Sequence, residues 1–188
     1  MTRKTMMWVA LASLVAGCFT QPSKAQEEAY TAVLQTSGAP GGGGTQIQFN
    51  FSITKWATQD EVKQLGAILK EKGQQVLLDE MNKLDAGRIY KRGETGNEIA
   101  LAEKWQNGDQ TVITLISARR MSMFETKARG VSTKYPFAFL QVTVDAKGEG
   151  SGKLVEAAAI KYDKEKDSFR LDPYGQGARA VNNVKRVK

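Results

Sequence analysis

Apolar residues recur at every second position over long stretches of this chain. Ile47, Phe49, Phe51 and Ile53 alternate with Gln46, Gln48, Asn50, Ser52 and Thr54, the period of a strand buried on one face. The same reasoning predicts strands over residues 30–35, 88–92, 99–106, 111–117, 137–144, 154–162 and 169–171, with a weaker last one over 181–187. Between them lie turn-formers: Gly93 to Asn97, the hairpin signal Asn107, Gly108, Asp109, the glycine-rich stretch 145–151 and the charged stretch 163–167. Asp172, Pro173 and Gly175 interrupt the pattern before the last strand.

One passage follows another period. Between Trp56 and Leu84, Val62, Leu65, Ile68 and Leu69 recur at helical spacing, and Asp60, Lys63, Gln64 and Glu71 occupy the other side. Thr58 with Glu61 forms a capping box, so the two satisfy each other's orphan amides at a helix start. Gly73 ends this helix, and Leu77, Met81 and Leu84 form the stripe of a second one, closed by residues 85–87. The fold class that follows is mainly β (α+β): an antiparallel meander of seven or eight strands, curled or closed into a barrel-like sheet. One inserted helical hairpin, residues 58–84, packs on that sheet. Its apolar stripe either fills the sheet's concave face or roofs a cavity.

Composition narrows the chemistry more than it enlarges it. The 188 residues, 41% apolar and 25% charged, fit one globular domain. The net charge of +7 is mild and predicts no nucleic-acid partner. The sequence contains no histidine, which excludes histidine triads, histidine metal ligands and a histidine pH switch. Its single cysteine excludes an intrachain disulfide.

That cysteine sits in a telling place. Arg3 and Lys4 precede an apolar run over residues 6–16, the pattern of a secretory signal too short to span a membrane. Val15, Ala16, Gly17 and Cys18 resemble a bacterial lipobox, in which the cysteine is acylated and becomes the new N-terminus. The alternative is cleavage after Ala25, since Ser23, Lys24, Ala25 also fits the small-x-small rule. The expected organisation is therefore a signal peptide over 1–17, a lipid-anchor tether over 18–28 and a domain over 29–188. The expected location is the periplasmic face of a bacterial membrane, or the soluble periplasm or exterior if the cleavage falls at Ala25.

Candidate chemistry is sparse. The four glycines at 41–44 lack the Lys and Ser/Thr of a phosphate loop, and around Gly148 to Leu154 the spacing is wrong for one. Asp163, Glu165 and Asp167 lack the calcium-loop pattern, so neither a metal nor a cofactor is expected. Arg119, Arg120, Lys127, Arg129 and Lys134 face only Glu125 across one loop, a basic patch suited to anionic lipid or an acidic partner. Two glutamates fall on faces shared with apolar residues: Glu103 between Leu101 and Trp105, and Glu156 between Leu154 and Ala158 on the face of Ile160. Turned inward, each carboxyl would be desolvated and its pKa raised, as a general acid or ligand anchor needs. Turned outward, or paired with Arg119 or a lysine, each is merely structural. Glu103, Trp105, Glu156 and Arg119 are the candidate ligand-binding residues, and no catalytic residue is assigned.

Trp56 with Thr58, Asp60 and Glu61, the start Tyr135, Pro136, Phe137, the turn from Gly148 to Leu154, the strand end from Ile160 to Lys164, and Asp172, Pro173, Tyr174 together resemble a family of exported bacterial proteins of unknown function. The likeness covers residues 49–187 and departs at 122–125, where a more aromatic stretch is expected. It implies export and lends no catalytic residue. The functional expectation is a non-catalytic envelope protein, anchored in the membrane through Cys18, that binds an apolar or amphipathic ligand or a protein partner, or scaffolds an assembly. The alternative is a carboxylate-dependent envelope hydrolase, which requires the carboxyl groups of Glu103 and Glu156 to share one cleft, about 5–10 Å apart.

Overall fold

In a computed structural model of the chain, which describes residues 27–35, 45–119, 134–165, 168–175 and 177–187, the alternating segments form one antiparallel sheet. Its strands are β1 (Glu28–Gln35), β2 (Gln46–Ile53), β3 (Gly87–Tyr90), β4 (Asn97–Ile99), β5 (Leu101–Asn107), β6 (Gln110–Ser117), β7 (Phe137–Val144), β8 (Glu149–Asp163), β9 (Ser168–Pro173) and β10 (Arg179–Arg186). The helices are α1 (Gln59–Lys72) and α2 (Gln74–Met81), between β2 and β3. Strand order is β4-β3-β2-β1-β10-β8-β7-β6-β5, with β9 attached to β8 alone.

The order is more than a meander, because the first and last strands lie side by side and bring the sheet round into a nearly closed barrel. Its two end strands, β4 and β5, are one chain segment kinked at Ala100. The first half pairs with β3 and the second with β6, so a single bent segment draws the sheet's ends together. Further bonds support the corner: Ala100 donates to the Ile116 carbonyl (2.8 Å), Ala86 to Ile99 (2.7 Å), and Ala57 to Ala102 (2.7 Å).

The inward positions are those the period predicted on β2, and they meet Tyr30, Ala32 and Leu34 of β1, Ile113 and Leu115 of β6, and Leu140, Val142 and Val144 of β7. Tyr30 stacks on Phe51 with ring centroids 4.9 Å apart. Phe49, Phe51, Leu34, Ile53, Ile89, Ile99 and Leu140 expose no surface at all. A side chain lining a hollow wide enough for water would present surface to it, so where these residues meet the interior is filled.

The helical hairpin lies on the outside of this barrel, so it neither fills the concave face nor roofs a cavity. Leu69, Leu77 and Met81 pack with Leu101, Phe137, Ile116 and Phe139 in a second apolar cluster on the sheet's outer face. The capping box forms as expected: the Glu61 amide donates to Thr58 Oγ1 (3.2 Å) and the Thr58 amide to Glu61 Oε2 (2.8 Å). Gly73 separates the helices at φ 83°, a left-handed conformation that disfavours a side chain.

Two bulges break the alternation. On β8, Phe137 pairs with Ala158 but Phe139 with Val155, so β8 holds one residue more than β7 there. Leu154 consequently faces the interior while Ile160 joins the helix-covered cluster. The expected shared face of Leu154, Glu156, Ala158 and Ile160 is therefore wrong, because the extra residue reverses the side-chain phase beyond it. On β10, the pairing jumps from Val181–Gly152 to Val184–Gly150, and both valines face inward. The expected turn over 145–151 ends sooner, with Gly150 and Gly152 already inside β8. A Cβ on either would lie 1.9 or 2.1 Å from a carbonyl oxygen of β7, so β7 and β8 approach where only glycine fits.

Candidate functional site

The most concentrated polar arrangement among the described residues centres on Glu28. Because β1 alternates, Glu28 falls in phase with Tyr30, Ala32 and Leu34 and is carried to the interior side, 9% exposed. A carboxylate there needs donors to replace water. Tyr30 Oη donates to Oε2 (2.9 Å), while Trp56 Nε1 (3.2 Å) and Lys104 Nζ (2.8 Å) donate to Oε1. The Arg186 guanidinium stands 3.6 Å from Oε2. Lys104 also lies over the Trp56 ring, 4.2 Å from its centroid, a cation–π contact.

These groups come from β1, the crossover before α1, β5 and β10, so the carboxylate ties four separate segments together. Burial opposes its ionisation, but the hydrogen bonds from Lys104 and Tyr30 and the charges of Lys104 and Arg186 outweigh that and hold its pKa below the usual carboxylate value. Burial first, and then the bond to Glu28, push the Tyr30 hydroxyl well above its ordinary value. A carboxylate kept ionised with both oxygens engaged has no proton to give as a general acid. Its chemistry is that of a staple.

The sequence-predicted residues lie elsewhere. Glu103 and Trp105 occupy the face of β5 opposite Ala102, whose methyl group is in the interior. Glu103 pairs across the sheet with Thr114, then Gln141, then Lys153, a polar row on the outer surface. Gln141 Nε2 donates to Thr114 Oγ1 within it (3.1 Å). Trp105, 42% exposed, pairs with Val112 on the same face. Glu156 sits in the β8 bulge on the interior side and is ion-paired with Arg179 of β10. The sheet thus separates Glu103 from Glu156, and the single cleft required of a two-carboxylate hydrolase is not formed. Arg119 is exposed beyond the end of β6, beside a small hollow bordered by Met81, Asn82 and Glu98. Cys18 and most of the basic loop, including Arg120, Lys127 and Arg129, lie outside the described residues.

Sequence reasoning missed Glu28, which it left in the tether, and the partners Lys104 and Arg186. The signal was present, since a glutamate in phase with Tyr30, Ala32 and Leu34 is a polar residue on an apolar face. A cleft between the hairpin and the kinked segment, lined by Lys55, Glu61, Leu84, Ala100 and Ala102, measures about 30 Å³. It admits a water or two and is far below the size of an organic ligand's pocket. Comparison with protein-family models, with curated proteins and with solved structures finds no match.

Proposed function

We propose that the protein is an exported envelope protein, held at a membrane by acylated Cys18, that works without catalysis by docking a protein partner on its outer surface. The observation that carries this reading is the filled interior where Phe49, Phe51 and Leu140 meet, together with the saturated Glu28. With no surface left on Phe49, Phe51 and Leu140, the barrel offers no room there for an apolar ligand, and binding falls to its outside. The inward carboxylates support it as well: Glu28 and Glu156 are both engaged by the protein's own cations. Among the described residues no helix is long and apolar enough to cross a membrane, and the proposed attachment is through the lipobox cysteine. From Cys18 to the start of β1, the tether cannot reach farther than about 35 Å, which keeps the start of β1 within that distance of the anchor.

The test has two arms. Detergent partitioning and intact mass should show acyl chains on the wild-type protein and none on Cys18→Ser; an unchanged mass and partition would reject the anchor. Crosslinking in intact cells should then recover a stoichiometric protein partner. Recovery of lipid or another small ligand inside the protein, with no protein partner, would overturn the docking role.

A further inference from the structure

Among the described residues, one strand edge has no partner. β9 pairs with β8 and with no other described strand. The directions of its backbone groups follow from two bonds: the Tyr174 amide donates to the Ala157 carbonyl (2.9 Å), and the Ile160 amide of β8 turns away from β9 to Gln74 Oε1 (2.9 Å). Bonded and non-bonded pairs alternate along an antiparallel ladder. With Ile160 opposite Leu171 and Lys161 opposite Arg170, Arg170 and Asp172 direct their amides and carbonyls to β8, and Phe169 and Leu171 direct theirs outward. Pro173, which has no amide to give, falls in the outward set, where its lack costs the existing ladder nothing. Phe169 is 51% exposed at this edge even though its ring lies against Gly66 of α1. An edge whose outward amides and carbonyls have no partner among the described residues, beside an exposed aromatic ring, is a template for another strand.

We propose that the occupant is β9 of a second copy of this chain, paired antiparallel about a two-fold axis through Leu171. In that register the two Leu171 residues exchange amide and carbonyl, and each Phe169 amide meets the other copy's Pro173 carbonyl. Arg170 then stands opposite Asp172 of the second copy, twice over by symmetry; Asp172, which already takes a bond from Lys161 Nζ within its own chain (2.5 Å), gains a second cation, and opposite charges at facing positions stabilise a strand pair. Moving the axis to Arg170 sets two guanidinium groups face to face. Moving it to Phe169 carries Leu171 and Asp172 past the start of β9 at Ser168. Charge and strand length together select the Leu171 axis. This deepens the docking reading without depending on the anchor, because Cys18→Ser should lose membrane attachment and keep the dimer.

Sedimentation equilibrium of the full protein in mild detergent tests it at up to about 100 µM, since so short an interface binds weakly. The wild type should be dimeric at the upper concentrations. Leu171→Pro removes an amide that bonds to no other described residue, so it should leave the circular dichroism unchanged and yield a monomer. Arg170→Asp and Asp172→Arg should each weaken the dimer about tenfold, and the double variant should recover it. A wild type monomeric throughout, a dimer indifferent to Leu171→Pro, or a double variant no better than the singles would overturn the proposal.

Discussion

At the scale of single residues, Glu28 shows how a polar side chain can hold a barrel together. Its folded pKa lies below the unfolded one, so its stabilisation is complete above the ordinary carboxylate range and is lost as pH falls through the folded value. Glu28→Gln should cost about 2 kcal/mol at pH 7, the scale of hydrogen bonds to a charged group. The difference from wild type should shrink below about pH 4. Urea melts of both proteins from pH 7 to pH 3 check this, and a constant difference across that range would contradict the ion-pair account. Asn183 makes a different point. It is the one described non-glycine residue at positive φ, 51°, within the β10 bulge, and asparagine tolerates that region where branched residues do not. Asn183→Val should destabilise by about 1–2 kcal/mol and Asn183→Gly by much less, as read by thermal melting. Nothing in the sequence marked Asn183, because Asn182 beside it is an equal candidate until the bulge is seen.

At the scale of elements, legibility tracked how local the determining physics is. Both ends of α1 depend on side chains within one turn, so Thr58, Glu61 and Gly73 could be assigned from sequence and stand where expected. Thr58→Ala should cost about 1 kcal/mol, and chemical denaturation should show it; no loss would mean the cap contributes nothing to the docked hairpin. Strand positions were equally plain where alternation is unbroken, as in β2 and β7. They failed at the bulges, which are set by the partner strand. Val181 and Val184, three apart, belong to opposite faces of a regular strand, yet both are in the interior. The phase reversal on β8 likewise left Glu156 on the side of Leu154, beside Arg179, and carried Ile160 to the outer cluster. The segment read as one strand over 99–106 is broken at Ala100, with Ile99 ending β4 and Leu101 opening β5, because closing the sheet requires the chain to pair with β3 and β6 in turn.

At the scale of the whole molecule, the sequence specified a curled antiparallel sheet with a docked hairpin but left open whether the barrel was hollow. That question depends on how ten strands stagger around a common axis, a property of no single segment. The answer has an energetic consequence that can be measured. If the interior is filled as the zero exposure of Leu140, Phe51 and Ile113's neighbour Leu115 requires, removing one of these side chains opens a cavity that did not exist before. Leu140→Ala should then cost about 2–5 kcal/mol. The new cavity, lined by aliphatic and aromatic groups, should stay dry and accept benzene or xenon. Benzene should therefore raise the melting temperature of Leu140→Ala and leave that of the wild type unchanged, since a ligand stabilises only a state that has room for it. Equal stabilisation of both proteins would mean the native barrel already holds a cavity, and binding would return from the outer surface to the inside.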